Sequence, residues 1–182
     1  VIIVERQYKE LLLDAYLPDG NLDIESRVIT VSEPRGEEQS QIEVNSRIEL
    51  PDNMPACDHL LYSVARTHII DERVHEDGVV IDGVVSVNIL YKSRDTEMEV
   101  ISLKEDIPFS HEIALENINA HMDCENVVRI ERIDSGMRSP GEIDVQIILN
   151  TTTKVFEKIN IDVIIGLEEK NVPLDQKSGI YV

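Results

Sequence analysis

The sequence is poor in aromatic residues, cysteine and positive charge. It has no Trp, two Phe and five Tyr among 182 residues, so an aromatic platform that stacks bases or sugars is not expected. Seventeen Lys and Arg oppose 36 Asp and Glu, and the net charge of −19 repels nucleic acid and anionic lipid. Two cysteines, Cys57 and Cys124, are too few for the disulfide framework of a small secreted domain. They favour a reducing compartment and can be free thiols or form one bridge.

Long apolar runs and leader signals are also missing. No stretch of 18 apolar residues occurs, which excludes a membrane-spanning helix. The first six residues, VIIVER, lack a Met, a basic segment and a cleavage site, so no signal peptide is expected. The sequence therefore predicts no nucleic-acid partner and no membrane insertion.

The apolar residues that are present are mostly β-branched. Ile and Val total 44 residues, whereas Leu and Ala total 19. Because β-branched side chains fit strands and lose rotamer freedom in helices, this balance predicts an all-β core. The apolar fraction of 42% is too high for disorder, and the length fits one domain or one domain with part of another.

Period-two alternation of apolar and polar residues places the strands. It is clearest over residues 41–51, 79–91, 142–149 and 159–167, and weaker over 9–16, 22–31, 68–74, 100–107, 112–115 and 127–133. Turn residues follow at 18–21, 34–36, 76–78, 93–95 and 139–141. Short strands at this spacing predict an antiparallel β-sandwich or open barrel.

Two features modify this pattern. Leu60, Leu61 and Val64 follow Asp58 at helical spacing, which predicts one short helix over Asp58–Ala65. Residues 44–51 and 100–109 each run from an alternating strand into Pro, then into a segment with a Cys and a strand opened by Gly. This echo indicates two related half-units, which would form a sandwich if packed face to face.

One set of residues has the ligand types of a zinc site. Cys57 and His59 form a Cys-x-His pair, and His121 and Cys124 form a His-x-x-Cys pair. Cys-x-His is not a usual zinc spacing, and 61 residues separate the pairs. The spacing favours two small buried cysteines and two surface histidines, so no metal site is predicted and these four residues stay a weak zinc candidate.

The remaining chemistry is sparse. Carboxylate pairs such as Glu142 and Asp144 fall on polar strand faces or in turns, where 36 acidic residues are expected to lie. His75–Gly78 lacks the Asp-x-Asp-x-Asp-Gly rhythm of a calcium loop and favours a hairpin turn. No Gly-x-Ser-x-Gly elbow and no phosphate-binding glycine motif occurs. We therefore predict a non-enzymatic protein without a cofactor, which acts by binding or scaffolding.

Several strings resemble the SPOCS domain, the repeated β-rich module of clostridial sporulation proteins. The resemblance covers about residues 41–156 and is most specific in the strand DGVVIDGVVSVNILY, residues 77–91, and in Ile107-Pro108-Phe109-Ser110. It also includes Leu50-Pro51 and the late strand Ile143–Leu149, while Cys57 departs from the family pattern. By this resemblance residues 39–182 form a SPOCS-like β domain and residues 1–38 an N-terminal β-hairpin segment that ends a preceding unit or adds strands.

The resemblance implies a role and a place in the cell. Residues 13–16, LDAY, and the tail 177–182 are similar to segments of relatives that continue into a LysM domain, so a LysM domain is expected beyond residue 182. Such relatives are adaptors of the spore coat that bind the coat morphogenetic ATPase. The implied partners are that ATPase and other coat proteins, with self-association of the module. The implied location is the mother-cell cytoplasm, with recruitment to the forespore surface.

Two other functions stay open at the sequence level. Similar modules occur in outer layers, so the chain could be a self-assembling exosporium or outer-coat lattice protein; Cys-rich segments or further SPOCS copies beyond residue 182 would favour it. The expected LysM neighbour also allows a non-catalytic part of a cell-wall-active enzyme. That reading needs paired carboxylates in a cleft or a filled zinc site somewhere in the whole protein.

Overall fold

The computed structural model describes residues 11–14, 23–94 and 100–168. Six strands account for nearly all of them, and no described residue is helical. Their bounds are β1 Asp23–Glu49, β2 Cys57–His75, β3 Gly78–Ser93, β4 Val100–Ala114, β5 Asp123–Ser139 and β6 Glu142–Glu168. The described residues also contain no helix long and apolar enough to cross a membrane.

The strands form two three-stranded antiparallel sheets. Sheet A has the order β1-β6-β5, and sheet B has the order β2-β3-β4. Contacts between the sheets show which strands face each other: Ser63 Oγ on β2 lies 2.5 Å from Ser135 Oγ on β5, and Ser40 Oγ on β1 lies 2.7 Å from His111 Nε2 on β4. The predicted all-β antiparallel sandwich is therefore confirmed.

The core lies between the sheets and is made by the alternation that the sequence shows. On β3, Val79, Ile81, Val85, Val87, Ile89 and Tyr91 are fully buried, and on β6 the buried set includes Ile143, Val145, Ile147 and Leu149. Each of these side chains gains roughly 1.5–3 kcal/mol from burial, so the two central strands dominate the stabilising free energy. Tyr91 also donates its hydroxyl to the carbonyl oxygen of Pro55 at 2.9 Å, which satisfies its one buried polar atom.

The predicted short helix over Asp58–Ala65 is wrong, because these residues form the first part of β2. Register shifts between Cys57 and His59 and between Leu60 and Tyr62 insert extra residues into the strand. The second shift leaves Leu61 as an extra apolar residue next to Leu60, and this produced the helical spacing of Leu60, Leu61 and Val64. Pairing with β3 overrides the local preference of the segment.

Two predicted interruptions are also absent. The expected strands at 22–31 and 41–51 belong to the single strand β1, so the turn predicted at Pro34-Arg35-Gly36 is wrong. Pro34 is tolerated there because β1 is an edge strand of sheet A, where one missing N–H donor is not required by a neighbour. Likewise the expected strands at 142–149 and 159–167 are both parts of β6. The turns predicted at 76–78 and 139–141 are confirmed.

The sheet orders agree with two related half-units. The two sheets are related by exchanging corresponding strands of the two halves, β1 with β4, β2 with β5 and β3 with β6. This exchange converts the order β1-β6-β5 of sheet A into β4-β3-β2, which is the order of sheet B. The Cys residues of the sequence echo lie at matching places, Cys57 as the first residue of β2 and Cys124 as the second of β5. Each sheet thus consists of a hairpin from one half and an edge strand from the other, so neither half has a complete sheet of its own.

Contacts divide the chain into two compact units. The larger unit, Pro34–Glu157, contains the whole core described above. The smaller unit combines Val1–Glu33 with Lys158–Val182, and within it Thr30 Oγ1 donates to Asn160 Oδ1 at 2.8 Å. The domain boundary predicted at residue 38 lies within β1. The predicted hairpin turn at residues 18–21 and the tail 177–182 lie outside the described residues. Half of the expected strand 9–16 also lies outside them, and its described residues, 11–14, are not in a strand.

Candidate interaction surface

The outward side of sheet B is the candidate interaction surface, and we call it the β2–β3–β4 face. It consists of the residues that alternate with the buried ones along each strand. These are residues 62, 64, 66, 68, 71 and 73 on β2, the even-numbered residues of 80–92 on β3, and the even-numbered residues of 100–112 on β4. Because antiparallel register aligns the three strands, these residues form rows across the sheet. Two of the rows are Arg66–Ser86–Asp106 and Arg73–Val80–Glu112.

Apolar side chains occupy much of this face. Tyr62 is 60% exposed and Val64 is 40% exposed, and both lie on the edge strand β2. Ile70, the extra residue of a bulge on the same strand, is 70% exposed. Val84 and Leu90 on β3 are half-buried between their neighbours. Apolar residues that line one side of a sheet without cover are typical of a surface that binds another protein.

The charges of the β2–β3–β4 face cancel. Four are positive and four are negative, so the face has a net charge of zero on a chain of −19. The eight are Arg66, Arg73, Lys92 and Lys104 against Asp71, Asp82, Asp106 and Glu112. A neutral face is the part of this molecule that another acidic surface can approach with least repulsion.

Several polar groups on the face are held by their neighbours. Arg73 donates to Asp82 Oδ2 at 2.5 Å and lies 3.4 Å from Asp71 Oδ2. Ser86 donates its hydroxyl to Asp106 Oδ1 at 2.5 Å. These contacts fix the positions of the charged groups before any partner arrives, and an ordered surface loses less side-chain entropy on binding.

The outward side of sheet A is different because ion pairs cover it. Asp144 accepts a hydrogen bond from Arg47 at 3.0 Å and lies 3.4 Å from Arg138, which lowers the pKa of Asp144 and raises that of Arg47. Glu43 accepts from Asn45 and Gln146, and these bonds lower its pKa. Apolar residues are few on this side, so its chemistry is that of a hydrated surface.

A shallow groove of about 680 Å³ crosses the same side of sheet A. Arg47, Asp144 and Gly136 are among the residues that line it, and a Cβ at Gly136 would meet nothing within 4 Å. The opposing charges of Arg47 and Asp144 already satisfy each other. The groove therefore offers a partner little beyond what water supplies.

His111 lies between the sheets. Its Nε2 is 2.7 Å from Ser40 Oγ, which is in turn 2.6 Å from Thr151 Oγ1, so the cluster joins β4 of sheet B to β1 and β6 of sheet A. Burial lowers the pKa of His111, because the charged imidazolium loses hydration there. A Ser–His contact is one element of nucleophilic sites, but this serine hydroxyl is shared with Thr151, and the cluster acts as a link between the layers.

The four residues of the weak zinc candidate lie at opposite ends of the sandwich. Cys57 begins β2, and His59 next to it is exposed and 3.0 Å from Asp58. Cys124 Sγ accepts from Asn126 at 3.3 Å, and Asn126 also donates to Glu72 near the other end of β2. The β3 partners of residues 57 and 72 are Ser93 and Ile81, which lie about 40 Å apart at strand rise. His121 is exposed in the connection before β5.

Within the described residues, no three or more His, Cys, Asp or Glu are arranged to hold a metal ion. Both cysteines are free thiols, Cys57 buried and Cys124 half-buried. Burial raises the pKa of each thiol, and nearby acidic groups, Asp58 for Cys57 and Glu72 for Cys124, raise it further. A thiol that stays protonated is a poor nucleophile and a poor metal ligand.

The carboxylates singled out in the sequence lie where a hydrated surface was expected. Glu76 and Asp77 form the turn between β2 and β3, in which Asp77 has a φ of 57° and accepts from the N–H of Asn117 at 2.8 Å. Glu142 accepts from Ser139 in the β5–β6 hairpin, and Asp144 is in the ion pairs of sheet A.

Sequence reasoning missed the residues of β2 that give the candidate surface its apolar character. Tyr62, Val64 and Ile70 fell partly within the predicted helix, so they were not considered as one face. A signal was present, because Tyr62, Val64, Arg66 and His68 follow a period of two.

These observations define the class: a two-layer antiparallel β-sandwich with a neutral face that no other described residue covers. Residues 58–138 match the family model described as SipL, SPOCS domain. The match runs from the second residue of β2 to the penultimate residue of β5 and includes all of sheet B except Cys57. The match confirms the resemblance to the SPOCS-domain family and indicates a sporulation-related role. No curated protein and no solved structure matches the chain.

Proposed function

We propose that this protein is a structural adaptor of the spore coat, without catalytic activity, which links coat layers at the forespore surface through protein–protein contacts. The observation that carries the proposal is the coincidence of the SPOCS match with the uncovered, neutral β2–β3–β4 face. An adaptor needs at least one surface that a partner can cover, and this face has the apolar area and balanced charge for that use.

The proposed partners are the coat morphogenetic ATPase and other coat proteins, and the proposed site of action is the mother-cell side of the forespore. Support for this part comes from the sporulation family to which the matched segment points. The charge of −19 also suits an assembly protein, since it keeps free subunits apart until a specific contact forms.

A fluorescent fusion of the full-length protein in sporulating cells, imaged through engulfment, tests the proposal. We expect a ring around the forespore that disappears when the morphogenetic ATPase is deleted. A ring that persists without the ATPase and lies outside the coat would favour the exosporium lattice instead. Diffuse mother-cell signal, or signal in vegetative cells, would contradict both.

A further inference from the structure

We infer that the β2–β3–β4 face binds the same face of a second copy of this chain, in a two-fold symmetric pair. The inference rests on the proposed structural role and names one partner for the candidate surface. It is carried by the way charges are distributed across the rows of sheet B.

The two rows that carry a charge on both outer strands have the same polarity. In the row Arg66–Ser86–Asp106 the positive group is on β2 and the negative group on β4. In the row Arg73–Val80–Glu112 the order is again positive on β2 and negative on β4. In both rows the positive group thus lies on β2 and the negative group on β4, with β3 between them.

This pattern is self-complementary under one symmetry operation. When two such faces stack with the two-fold axis parallel to β3, each β2 residue faces the β4 residue of its own row in the other copy. Arg66 then lies over Asp106 of the second copy, and Arg73 over Glu112. Each pair occurs twice, because a two-fold interface is isologous. In these two rows no charged group faces one of its own sign. On β3, which lies on the axis, Asp82 and Lys92 face their counterparts in the other copy, and Arg73 of the same copy neutralises Asp82.

The apolar residues fit the same stacking. Tyr62 and Val64 lie at one end of β2 and Ile70 lies towards the other, on either side of the Arg66 row. Stacking would remove these side chains from water while the charged pairs set the register. The outward side of sheet A, with its ion pairs, would point away from the contact.

The size of the face predicts a weak pair. Twelve residues along the strands and three strands across cover about 40 by 14 Å, or roughly 550 Å² per copy. The total of about 1,100 Å² is at the lower end of specific interfaces, so a dissociation constant in the micromolar range or weaker is expected. Weak contacts of this kind suit a layer that assembles only where the protein is concentrated.

A charge-exchange experiment with the 182-residue chain tests the pairing. Sedimentation equilibrium at 0.15 M salt, where the screening length of about 8 Å reduces the overall repulsion, gives the dissociation constant of the wild-type pair. In Arg66→Asp an acidic group would face Asp106, and in Asp106→Arg a basic group would face Arg66. We expect either variant alone to weaken self-association roughly tenfold or more, because like charges meet twice.

Mixing the two variants restores opposite charges at both contacts, so the mixture is expected to form pairs near the wild-type affinity. Arg129→Asp on β5 is the matched control, since it makes the same change of charge on the outward side of sheet A and leaves the dissociation constant within about twofold. A further matched pair is Val64→Glu against Val127→Glu: both valines are 40% exposed on edge strands, and only the first is expected to weaken pairing.

Circular dichroism checks that each variant is folded. If a charge variant does not fold, Val64→Glu replaces it in the comparison. A wild-type chain that stays monomeric at about 1 mM, or a mixture that fails to pair, overturns the inference. If Val64→Glu disperses the forespore ring while the wild type is monomeric, another coat protein occupies this face and the second-copy inference is equally overturned. A wild-type chain that is monomeric in solution, but whose full-length fusion forms the forespore ring, overturns this inference alone and leaves the proposed function standing.

Discussion

Gly83, in the middle of β3, allows a test of how tightly the Phe109 ring of the neighbouring strand β4 packs over it. A Cβ at this position would lie 2.5 Å from Phe109 Cζ and 2.7 Å from the carbonyl oxygen of His68. Carbon atoms in contact are normally about 3.5–4.0 Å apart, so Gly83→Ala must displace the Phe109 ring by about 1 Å. The His68 oxygen is backbone and paired in the sheet, and it can yield much less.

The expected magnitude follows from two opposing contributions. Overpacking a well-filled site costs about 1–3 kcal/mol. Replacing Gly by Ala also restricts the unfolded chain and returns about 0.4–1 kcal/mol. The net effect of Gly83→Ala is therefore a loss of about 1–2 kcal/mol of unfolding free energy, which lowers Tm by roughly 2–8 °C for a chain of this size.

Gly136→Ala on β5 is the matched control, because a Cβ there meets no atom within 4 Å. It is expected to be neutral or to stabilise by up to about 1 kcal/mol, since only the unfolded-state contribution remains. Differential scanning calorimetry with urea unfolding measures both variants. Equal stabilities for Gly83→Ala and Gly136→Ala would refute the packing argument.

The cause can be separated from a general intolerance of strand substitutions. Phe109→Leu removes the ring that occupies the space beside Gly83, so it should reduce the cost of Gly83→Ala. A double-mutant cycle is expected to show a favourable coupling of about 0.5–2 kcal/mol, and strictly additive effects would show that the ring is not the obstacle.

Three further predictions concern titratable groups. His111→Asn removes a histidine whose folded pKa is lowered by burial. In the wild type the folded state favours the neutral ring. The stability that His111 contributes is therefore complete above the unfolded pKa of about 6.5 and declines as pH falls below it. The stability difference between wild type and variant, about 1 kcal/mol at pH 7.5 from the Ser40 contact, should shrink towards pH 5.5 in urea titrations, and a constant difference would contradict it. The carboxylate of Asp144 should titrate below its ordinary range by NMR, and Arg47→Gln should raise that pKa, whereas Glu49→Gln should change it much less. Native protein at pH 7.5 should react slowly with a thiol reagent at Cys124 and more slowly at the fully buried Cys57, and both should react at once in denaturant; rapid native labelling of Cys57 would contradict the buried position.

Much of the fold was predictable from the sequence because its strands follow simple rules. The alternation over Val79–Tyr91 and Ile143–Leu149 predicted the two central strands, and their buried residues are those of the apolar phase. The turns at Asp77 and at Pro140-Gly141 were predicted from residue chemistry, and each lies in a hairpin. The echo between the halves also has a counterpart in the sheet orders.

The sequence by itself determined the class of fold, the two central strands, the main hairpin turns and the strong negative charge, because each depends on residue type and local spacing. Tertiary structure decided where the bulges of β2 fall, that β1 continues through Pro34, and that each sheet takes its edge strand from the other half. These depend on pairing between residues far apart in sequence. The same pairing aligns Arg66 with Asp106 and Arg73 with Glu112, so the candidate surface exists only once the three strands of sheet B are in register.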